Sequence, residues 1–373
     1  MGGFPTASVQ QSNGDILVSL NQGSMAAVAR FLPSGALDKT FGSGGVAKAA
    51  TSGELVLESS GKIVIGGNAT GVNGGNAFAV ERLDSNGEPD STFGTDGVAT
   101  ASSPEEGSIG SEHLLVEPNG KVLAGGYRLV SGRPEKFSGL IIRFNANGTL
   151  DTTFGKGGEV NLTASQNEIV DALGLDANGD IFVLDDATAA QTELSPTGAI
   201  DASATPATIT SSSKGGFETF GSHRDFLADD QSLQAHVVST SKRGYKAQVQ
   251  RFSPTGELDS TFADPLFRYN GETSTLGKDP VYEAVVGANG KIVVVGNHHP
   301  ESTSAGVGSF GVERLDANGE LDATFGNGGG VTTNILESDN FYTAVVEPNG
   351  DIVAAGLATK GETSEVVLIR YQG

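Results

Sequence analysis

The sequence predicts an all-β fold, a seven-bladed β-propeller whose blades are four-stranded antiparallel sheets. Three observations predict it. A six-residue phrase recurs along the chain, each copy follows two turns of similar sequence, and no segment of useful length shows the 3.6-residue periodicity of a helix. Short strands that recur at regular spacing with turns between them are typical of a propeller.

The phrase reads Leu-Asp-x-Thr-Phe-Gly in its fullest form, with aspartates at positions 38, 90, 151, 259 and 322 and a degenerate copy around Asp201. Successive aspartates are 52, 61, 50, 58 and 63 residues apart, close to one seventh of the 373 residues. Seven repeats therefore fit a single domain that spans 1–373. Their approximate bounds are 5–50, 51–104, 105–164, 165–213, 214–272, 273–336, and 337–373 plus 1–6.

Each repeat begins with two β-branched runs on either side of a turn such as Asn349-Gly350. Asn-Gly between two such runs is the strongest short-range signal of a β-hairpin, because both residues tolerate a positive φ. A third run, such as Phe78–Leu83, and a shorter fourth one, such as Gly97–Thr100, complete the repeat. We call these predicted strands A, B, C and D.

The two ends of the chain favour a closed ring over a linear solenoid. The last repeat has a strand C that ends at Ile369–Tyr371 and no strand D, whereas Gly2–Thr6 resembles the strand D phrase Gly44–Ala47. We therefore expect the N-terminal strand to close the ring as the fourth strand of the last blade. Pro5 would then lie at an outer edge, where its missing N–H does little harm.

The charge balance argues against nucleic acid as a partner. The chain has 45 acidic and 23 basic side chains, a net charge of −22, which repels polyanions. No apolar run approaches the roughly 20 residues of a membrane span, so no membrane insertion is expected. The absence of cysteine excludes disulfides and thiolate chemistry. Because a strand begins almost at Met1, we expect an extracellular or cell-surface protein whose signal has been removed. A cytoplasmic location stays open, and a monomer is expected.

The repeat resembles a known family in the order Asn-Gly-Lys/Asp, Ile-Val-Val-x-Gly, Arg-Phe/Leu and Asn-Gly-x-Leu-Asp-x-Thr-Phe-Gly-x-x-Gly. This pattern is similar to the delta-60 repeat, a bacterial β-propeller repeat, over essentially the whole chain. The resemblance implies a propeller within a large secreted or surface-attached protein, and it carries no catalytic residues over. Two repeats depart from it: the one around Asp201 lacks Thr-Phe-Gly, and the next has Asp229–Ser232 in place of the Asn-Gly turn.

The repeated aspartates have two interpretations. The first is a turn cap, in which the carboxylate accepts hydrogen bonds from nearby backbone N–H groups. The second is calcium, whose hard oxygen ligands gather in short acidic loops, although such a loop supplies only some of the 6 to 8 oxygens needed. No other cofactor is expected. The calcium candidates are Asp84, Asn86, Asp90, Asp316, Asn318 and Asp322.

The two ends of the predicted blades differ in sequence. Because neighbouring strands are antiparallel, the A–B and C–D turns share one end, and the B–C loops and D–A connectors share the other. The turns are uniform, whereas loops such as Asn68–Gly75 and Tyr127–Lys136 vary. A rigid scaffold that presents a binding surface has this distribution, and so does unconstrained drift of loops.

Candidate functional residues lie on this variable face. Basic side chains there could hold an acidic ligand such as a uronic acid, while histidines and carboxylates at the channel mouth could form an acid–base or metal site. The histidine at 236, within a strand B, is expected to be packed. The binding candidates are Tyr127, Arg128, Arg133, Lys136, His113 and His299. The catalytic candidates are Asp185, Asp186, His223, Asp225, His298 and Glu301.

The leading hypothesis is a non-enzymatic binding or display module that engages a glycan or a protein through the variable B–C/D–A face. One alternative is a hydrolase or lyase with a polar active site at the channel mouth. The other is a structural spacer. The sequence contains no Ser-His-Asp order, metalloprotease helix, P-loop or dinucleotide fingerprint.

Overall fold

The computed structural model describes most of the chain as β-strands joined by turns. The described residues are 3–21, 25–70, 76–101, 109–130, 136–162, 169–176, 178–185, 191–201, 223–226, 232–240, 244–253, 257–263, 281–298 and 308–373. They contain 25 strands and no helix, so none of these ranges holds a helix that could cross a membrane. The fold is all-β, as predicted.

The chain divides into two compact units. The N-terminal unit is Val9–Ile209, and the C-terminal unit is Thr210–Gly373 together with Met1–Ser8. Each unit is built from antiparallel sheets in which every strand pairs with the next one along the chain. The connections that the Asn-Gly signals mark are short, such as 117–121 and 347–351, as predicted.

The N-terminal unit contains three four-stranded sheets and one sheet with three described strands. The first five residues of β1 count with the C-terminal unit. The first sheet contains β1 (Phe4–Gln10), β2 (Ile16–Asn21), β3 (Ala26–Phe31) and β4 (Val46–Ala49). The second contains β5 (Leu55–Leu57), β6 (Ile63–Thr70), β7 (Asn76–Leu83) and β8 (Val98–Ala101). The third contains β9 (Ile109–Val116), β10 (Val122–Val130), β11 (Lys136–Phe144) and β12 (Glu159–Asn161). The fourth contains β13 (Val170–Leu175), β14 (Ile181–Asp185) and β15 (Gln191–Leu194).

The C-terminal unit contains one four-stranded sheet and two sheets with three described strands. The fifth sheet contains β16 (His223–Phe226), β17 (Ser232–Thr240) and β18 (Gly244–Phe252). The sixth contains β19 (Val281–Val286), β20 (Ile292–His298), β21 (Ser309–Leu315) and β22 (Gly330–Thr333). The seventh contains β23 (Ser338–Val346), β24 (Ile352–Lys360) and β25 (Thr363–Tyr371). Four-stranded antiparallel sheets are thus confirmed, and a closed ring of seven blades stays a prediction.

The core lies between consecutive sheets. In one cluster, Phe78 and Phe93 of the second sheet pack with Val122 and Ile142 of the third, all fully buried. The repeated phenylalanine also explains a turn glycine: a Cβ on Gly87, whose φ is +86°, would lie 2.7 Å from the Phe41 ring. The glycine of this turn therefore provides both a positive φ and room for the ring of the preceding repeat, and Gly319 does the same for the Phe262 ring.

The N-terminal strand is placed differently from the expectation. Phe4–Gln10 joins β2 in the first sheet, and the described strands of the seventh sheet are β23, β24 and β25 alone. Ser8 Oγ lies 2.8 Å from Thr343 Oγ1, and the Phe4 ring lies 6.2 Å from the Tyr342 ring. The side chains of this segment pack against β23, while its backbone pairs with β2. The segment therefore lies at the opposite edge of the seventh sheet from β25.

Several segments that the sequence suggested as loops are strands. Strand β10 continues to Val130 and β11 starts at Lys136, with Arg128 opposite Ser138 in the ladder. His223, a catalytic candidate of the variable face, begins β16 and pairs with Ala235. Antiparallel pairing simply extends past the last apolar residue, because backbone hydrogen bonds form whatever the side chain.

Candidate functional site

The repeated phrase builds the same arrangement at the turn end of five sheets, which we call the Arg–Asp–Phe motif. In the second sheet, Arg82 Nε donates to Asp90 Oδ2 at 2.7 Å. Asp90 Oδ1 accepts from the backbone N and the hydroxyl of Thr92, at 3.0 and 2.7 Å. The guanidinium lies over the Phe93 ring, 4.5 Å from its centroid. The other copies are Arg30–Asp38–Phe41, Arg143–Asp151–Phe154, Arg251–Asp259–Phe262 and Arg314–Asp322–Phe325.

The motif also joins successive repeats. Arg82 Nη1 donates to the carbonyl of Ala146 at 2.9 Å, and Arg143 Nη1 donates to the carbonyl of Pro196 at 2.6 Å. In the C-terminal unit, Arg251 makes the same bond to the carbonyl of Ala317. Each of these three arginines therefore bonds a carboxylate in its own repeat and a turn carbonyl in the next, and these charge-assisted bonds are stronger than neutral ones.

Lysines after the A–B turn complete the charge pairing in three sheets. Lys62, Lys121 and Lys291 donate to Asp90, Asp151 and Asp322 at 2.6–2.7 Å. Burial alone would raise the pKa of these aspartates. The lysine and threonine hydrogen bonds, together with the arginine, outweigh it and lower the pKa well below the ordinary 3.8. The motif is therefore an ionised, internally neutralised structural element.

The carboxylates of the proposed calcium turns are of two kinds. Asp84 Oδ1 accepts from the backbone N of Asn86 and of Glu88, and Asp316 does the same with Asn318 and Glu320. Asp90 and Asp322 instead bind cationic side chains, as above. Within the described ranges, no group of three or more His, Cys, Asp or Glu is placed to hold a metal ion. This geometry matches the turn-cap interpretation and lends the calcium interpretation no support.

We expect removal of divalent cations to change the melting temperature by less than about 1 °C. The carboxylates of Asp90 and Asp322 already have cationic partners, so a metal ion would have to displace lysine and arginine before it could stabilise the fold. Thermal denaturation with EDTA, and again after calcium is restored, measures this. A large, calcium-reversible fall would establish calcium as a ligand of the folded protein.

The predicted basic group is partly neutralised within its own sheet. Arg128 is buried, and its guanidinium donates to Glu159 Oε2 and Asn161 Oδ1, both at 2.6 Å. Tyr127 packs edge-to-face on Phe137, with ring centroids 5.2 Å apart. Lys136 starts β11, and Arg133 lies outside the described residues. An acidic ligand would have to compete with Glu159 for Arg128, so its predicted binding role gains no support here.

His113 lies in a line of titratable side chains that sequence reasoning did not assemble. It belongs to β9, and its imidazole is half-buried between two carboxylates of the adjacent sheets. Nδ1 lies 3.7 Å from Glu54 Oε2, and Nε2 lies 3.9 Å from Asp171 Oδ1. The two carboxylates lie at opposite nitrogens of the imidazole, so one metal ion could not bind all three groups. The arrangement instead suits proton exchange or an ionic link across three sheets.

For the remaining described candidates, the structure gives only the strand to which each belongs. Asp185 ends β14, His298 ends β20, and His223 and Asp225 lie in β16. Asp186, His299 and Glu301 lie outside the described residues. The end of β20 also carries Asn297, a buried residue whose Nδ2 bonds to Oδ1 of Asn340 on β23. The predicted grouping at a channel mouth therefore stays a prediction.

The sequence contains a signal that would have found two of the missed residues, Glu54 and Glu283. Glu54 and His113 both lie seven residues before the glycine of their A–B turn, Gly61 and Gly120, and Glu283 has the same position relative to Gly290. Glu54 accepts a hydrogen bond from the backbone N of Leu114 in the following strand A, and Glu283 does the same for Ala344. An alignment of the repeats by turn glycine thus reveals a position that links neighbouring sheets.

Sheets of this topology, joined by a motif that repeats every 50 to 63 residues, are typical of β-propeller repeat proteins. Residues 58–93, 117–154 and 287–325 match the family described as "Domain of unknown function (DUF5122) beta-propeller". These three segments are therefore similar to a β-propeller repeat family, which confirms there the resemblance drawn from the sequence.

The solved structures similar to this chain include proteins of different kinds. Virginiamycin B lyase from Staphylococcus aureus is 11% identical, with 94% of this chain and 91% of that chain covered and a TM-score of 0.52. YCF48 from Cyanidioschyzon merolae is 10% identical, with 99% and 96% covered and a TM-score of 0.48. A luciferin-regenerating enzyme is 8% identical, with 100% and 92% covered and a TM-score of 0.45. At these identities the likeness concerns the fold alone, and no curated protein matches the sequence.

Proposed function

We propose that the protein is a non-enzymatic binding module of a secreted or cell-surface bacterial protein, and that its partner docks on the B–C/D–A ends of the sheets. The contrast between the two ends of the sheets supports this proposal. Five copies of the Arg–Asp–Phe motif pair the charges at the turn end with one another. The other end differs between sheets, with Tyr127 on β10, Asn297 on β20 and Leu357 on β24 at equivalent positions. A uniform scaffold with one variable end is typical of binding proteins.

The charge distribution favours a protein partner with a basic or neutral surface over an acidic glycan. The chain carries a net charge of −22, and the five motif arginines, three lysines and Arg128 all bond to carboxylates. A cation that already has a carboxylate partner offers little to a second one, because displacing the first costs what binding the second gains. Acidic glycans would also meet long-range repulsion.

The test compares a loop-end variant with a turn-end control. We expect the protein to bind members of a peptide array that spans net charge, with a preference for basic peptides over acidic glycans on a parallel glycan array. Tyr127→Ala should weaken the binding about fivefold or more, because this ring packs on Phe137 in the half of β10 nearer the B–C loop. Lys39→Ala, at an exposed position of the repeated phrase, should leave it unchanged. Silence on both arrays would favour a structural spacer, and equal losses in both variants would contradict the assignment of the face.

One observation favours a second candidate function, a hydrolase or lyase. His113 lies between Glu54 and Asp171, an arrangement in which a carboxylate orients an imidazole for proton transfer. If a turnover is found, His113→Gln should abolish it while the melting temperature stays within a few degrees of the parent. A turnover that survives this substitution would move the active site elsewhere.

A further inference from the structure

One Asn-Gly pair in the described structure differs from the others in its hydrogen bonds. The described residues contain nine such pairs. Eight of them lie in the A–B turns or in the turns before the repeated phrase, and their glycines are at positions 14, 87, 120, 148, 179, 290, 319 and 350. The ninth is Asn327-Gly328, between the repeated phrase of the sixth sheet and β22. In such a pair the glycine nitrogen can attack the asparagine side chain, because glycine has no Cβ in the way.

The glycine N–H is bonded in the eight turn pairs. In each of them it donates to the carbonyl of the residue three positions earlier, at 2.8–3.2 Å, as Gly350 does to Glu347. The side chain of Asn349 is held as well, since its Oδ1 accepts from the backbone N of Asp351 at 3.0 Å. A nitrogen that donates its proton to a carbonyl cannot at the same time give up that proton and attack a side chain.

The N–H of Gly328 donates to no oxygen among the described residues. The hydrogen bonds of this turn run instead from Asn327 N to Gly330 O and from Gly329 N to Phe325 O, both at 2.9 Å. Asn327 and Gly328 are exposed, and no heavy atom of the described residues lies within 4 Å of a Cβ built on Gly328. Solvent therefore reaches this amide, and there is room around it for an attack on the side chain of Asn327.

The geometry belongs to the repeat, whereas the asparagine belongs to this copy. The same turn in the third sheet has hydrogen bonds from Lys156 N to Glu159 O and from Gly158 N to Phe154 O, and the amide of Gly157 between them donates to no described oxygen. The residue before that amide is lysine in the third sheet, serine in the first and threonine in the second. Since this exposed position accepts such different side chains, a change of charge there does not oppose the fold.

We propose that Asn327 is a site of spontaneous deamidation directed by this turn. The nitrogen of Gly328 loses its proton to a solvent base and attacks Asn327 Cγ. The new N–Cγ bond forms as the Cγ–Nδ2 bond breaks, and the departing amide nitrogen takes up a proton and leaves as ammonia. Water then opens the cyclic imide at either carbonyl and gives aspartate or isoaspartate. The net change consumes one water, releases one ammonia and adds one negative charge.

The experiment compares three Asn-Gly pairs within one peptide. The whole protein is incubated at pH 8, folded or in urea, and then digested with trypsin, which cuts after lysine and arginine. Residues 315–360 are released as one peptide that contains Asn318, Asn327 and Asn349. Mass spectrometry with fragmentation then gives the extent of deamidation at each asparagine. In the folded protein we expect Asn327 to react about fivefold faster than Asn318 or Asn349, the factor that one net hydrogen bond is worth. In urea the three rates should become similar, because the turn hydrogen bonds are lost.

A matched variant separates this site from the rest of the chain. Asn327→Lys, which introduces the residue of the third sheet, should prevent the formation of the more acidic form that carries the change in 315–360, while Asn318 and Asn349 react as in the parent. Since this position is exposed, the variant should keep the melting temperature of the parent.

Three outcomes would overturn the proposal. The first is a folded protein in which Asn327 reacts no faster than Asn318 and Asn349. The second is a preference for Asn327 that is equally large in urea, which would assign it to the local sequence and not to the turn. The third is a product that contains aspartate without isoaspartate, because direct hydrolysis of the side chain gives aspartate alone, whereas attack by Gly328 gives both.

Discussion

Replacing Asp151 by asparagine is expected to lower the free energy of unfolding by about 3 kcal/mol. Asp151 is buried, and its Oδ2 accepts from Arg143 Nε at 2.8 Å and from Lys121 Nζ at 2.7 Å. A neutral amide would leave the buried guanidinium without its main counter-charge, and loss of one partner of a buried pair costs about 3–5 kcal/mol. Glu117, 3.3 Å from Arg143, keeps the loss near the lower end. Urea denaturation measures it.

The control is Asp84→Asn, in a turn of the same repeat family. Asp84 Oδ1 accepts two backbone hydrogen bonds and, among the described residues, no cationic side chain is bonded to it. An amide oxygen can accept the same two bonds, so a change within about 0.5 kcal/mol is expected. If Asp151→Asn costs no more than Asp84→Asn, the motif fixes geometry without contributing stability.

Replacing Asp151 by asparagine should also make the free energy of unfolding less dependent on pH under acid conditions. Hydrogen bonds from the Thr261 hydroxyl and amide and from Arg251 lower the pKa of Asp259 to about 2, and Asp151 is shifted in the same direction. A carboxylate with a lowered folded-state pKa stabilises the fold above its unfolded pKa of 3.8, and this contribution is lost as the pH falls toward the folded value. The parent should therefore lose stability below about pH 4 more steeply than Asp151→Asn.

The repeat itself explains why the sheets could be predicted from the sequence. A turn such as Asn349-Gly350 fixes the register of its hairpin, and the structure pairs Val346 with Ile352 across it. Because the same pattern recurs in each repeat, a strand with a weak signal in one repeat can be assigned from its equivalents in the others. The placement of Phe4–Gln10 had no such support: a single Gly-Gly-Phe phrase matched strand D, but contacts with Thr343 and Tyr342 decide its position.

The site was less predictable because its contacts cross between repeats. Arg143 bonds to Pro196, which is 53 residues away, and His113 meets Glu54 and Asp171 from two other sheets. Nothing in a local pattern shows that a strand C arginine will neutralise the phrase aspartate. The interpretation of that aspartate as a turn cap was correct for its Oδ1 and did not anticipate the cations on its Oδ2.

Glu81 and Glu313 are expected to respond in opposite directions to replacement by methionine. Each lies one residue before the motif arginine, and each is almost fully buried. Glu81 Oε2 accepts from the backbone N of Ala50 at 2.6 Å, and the amide of Thr51 also bonds to the carboxyl. Glu313 Oε1 has no hydrogen-bond partner in the described structure. Glu81→Met should cost about 2 kcal/mol, and Glu313→Met should stabilise by about the same amount at pH 8.

The pH dependence gives this pair a second readout. Burial raises the pKa of Glu313 well above the ordinary 4.5, so the ionised carboxylate destabilises the folded state. A raised folded-state pKa contributes stability that is complete below pH 4.5 and is lost as the pH rises through the folded value. The advantage of Glu313→Met over the parent should therefore grow from pH 5 to pH 8 in urea titrations. A Glu313→Met protein that is less stable than the parent at both pH values would show that this carboxyl has a structural partner, as Glu81 does.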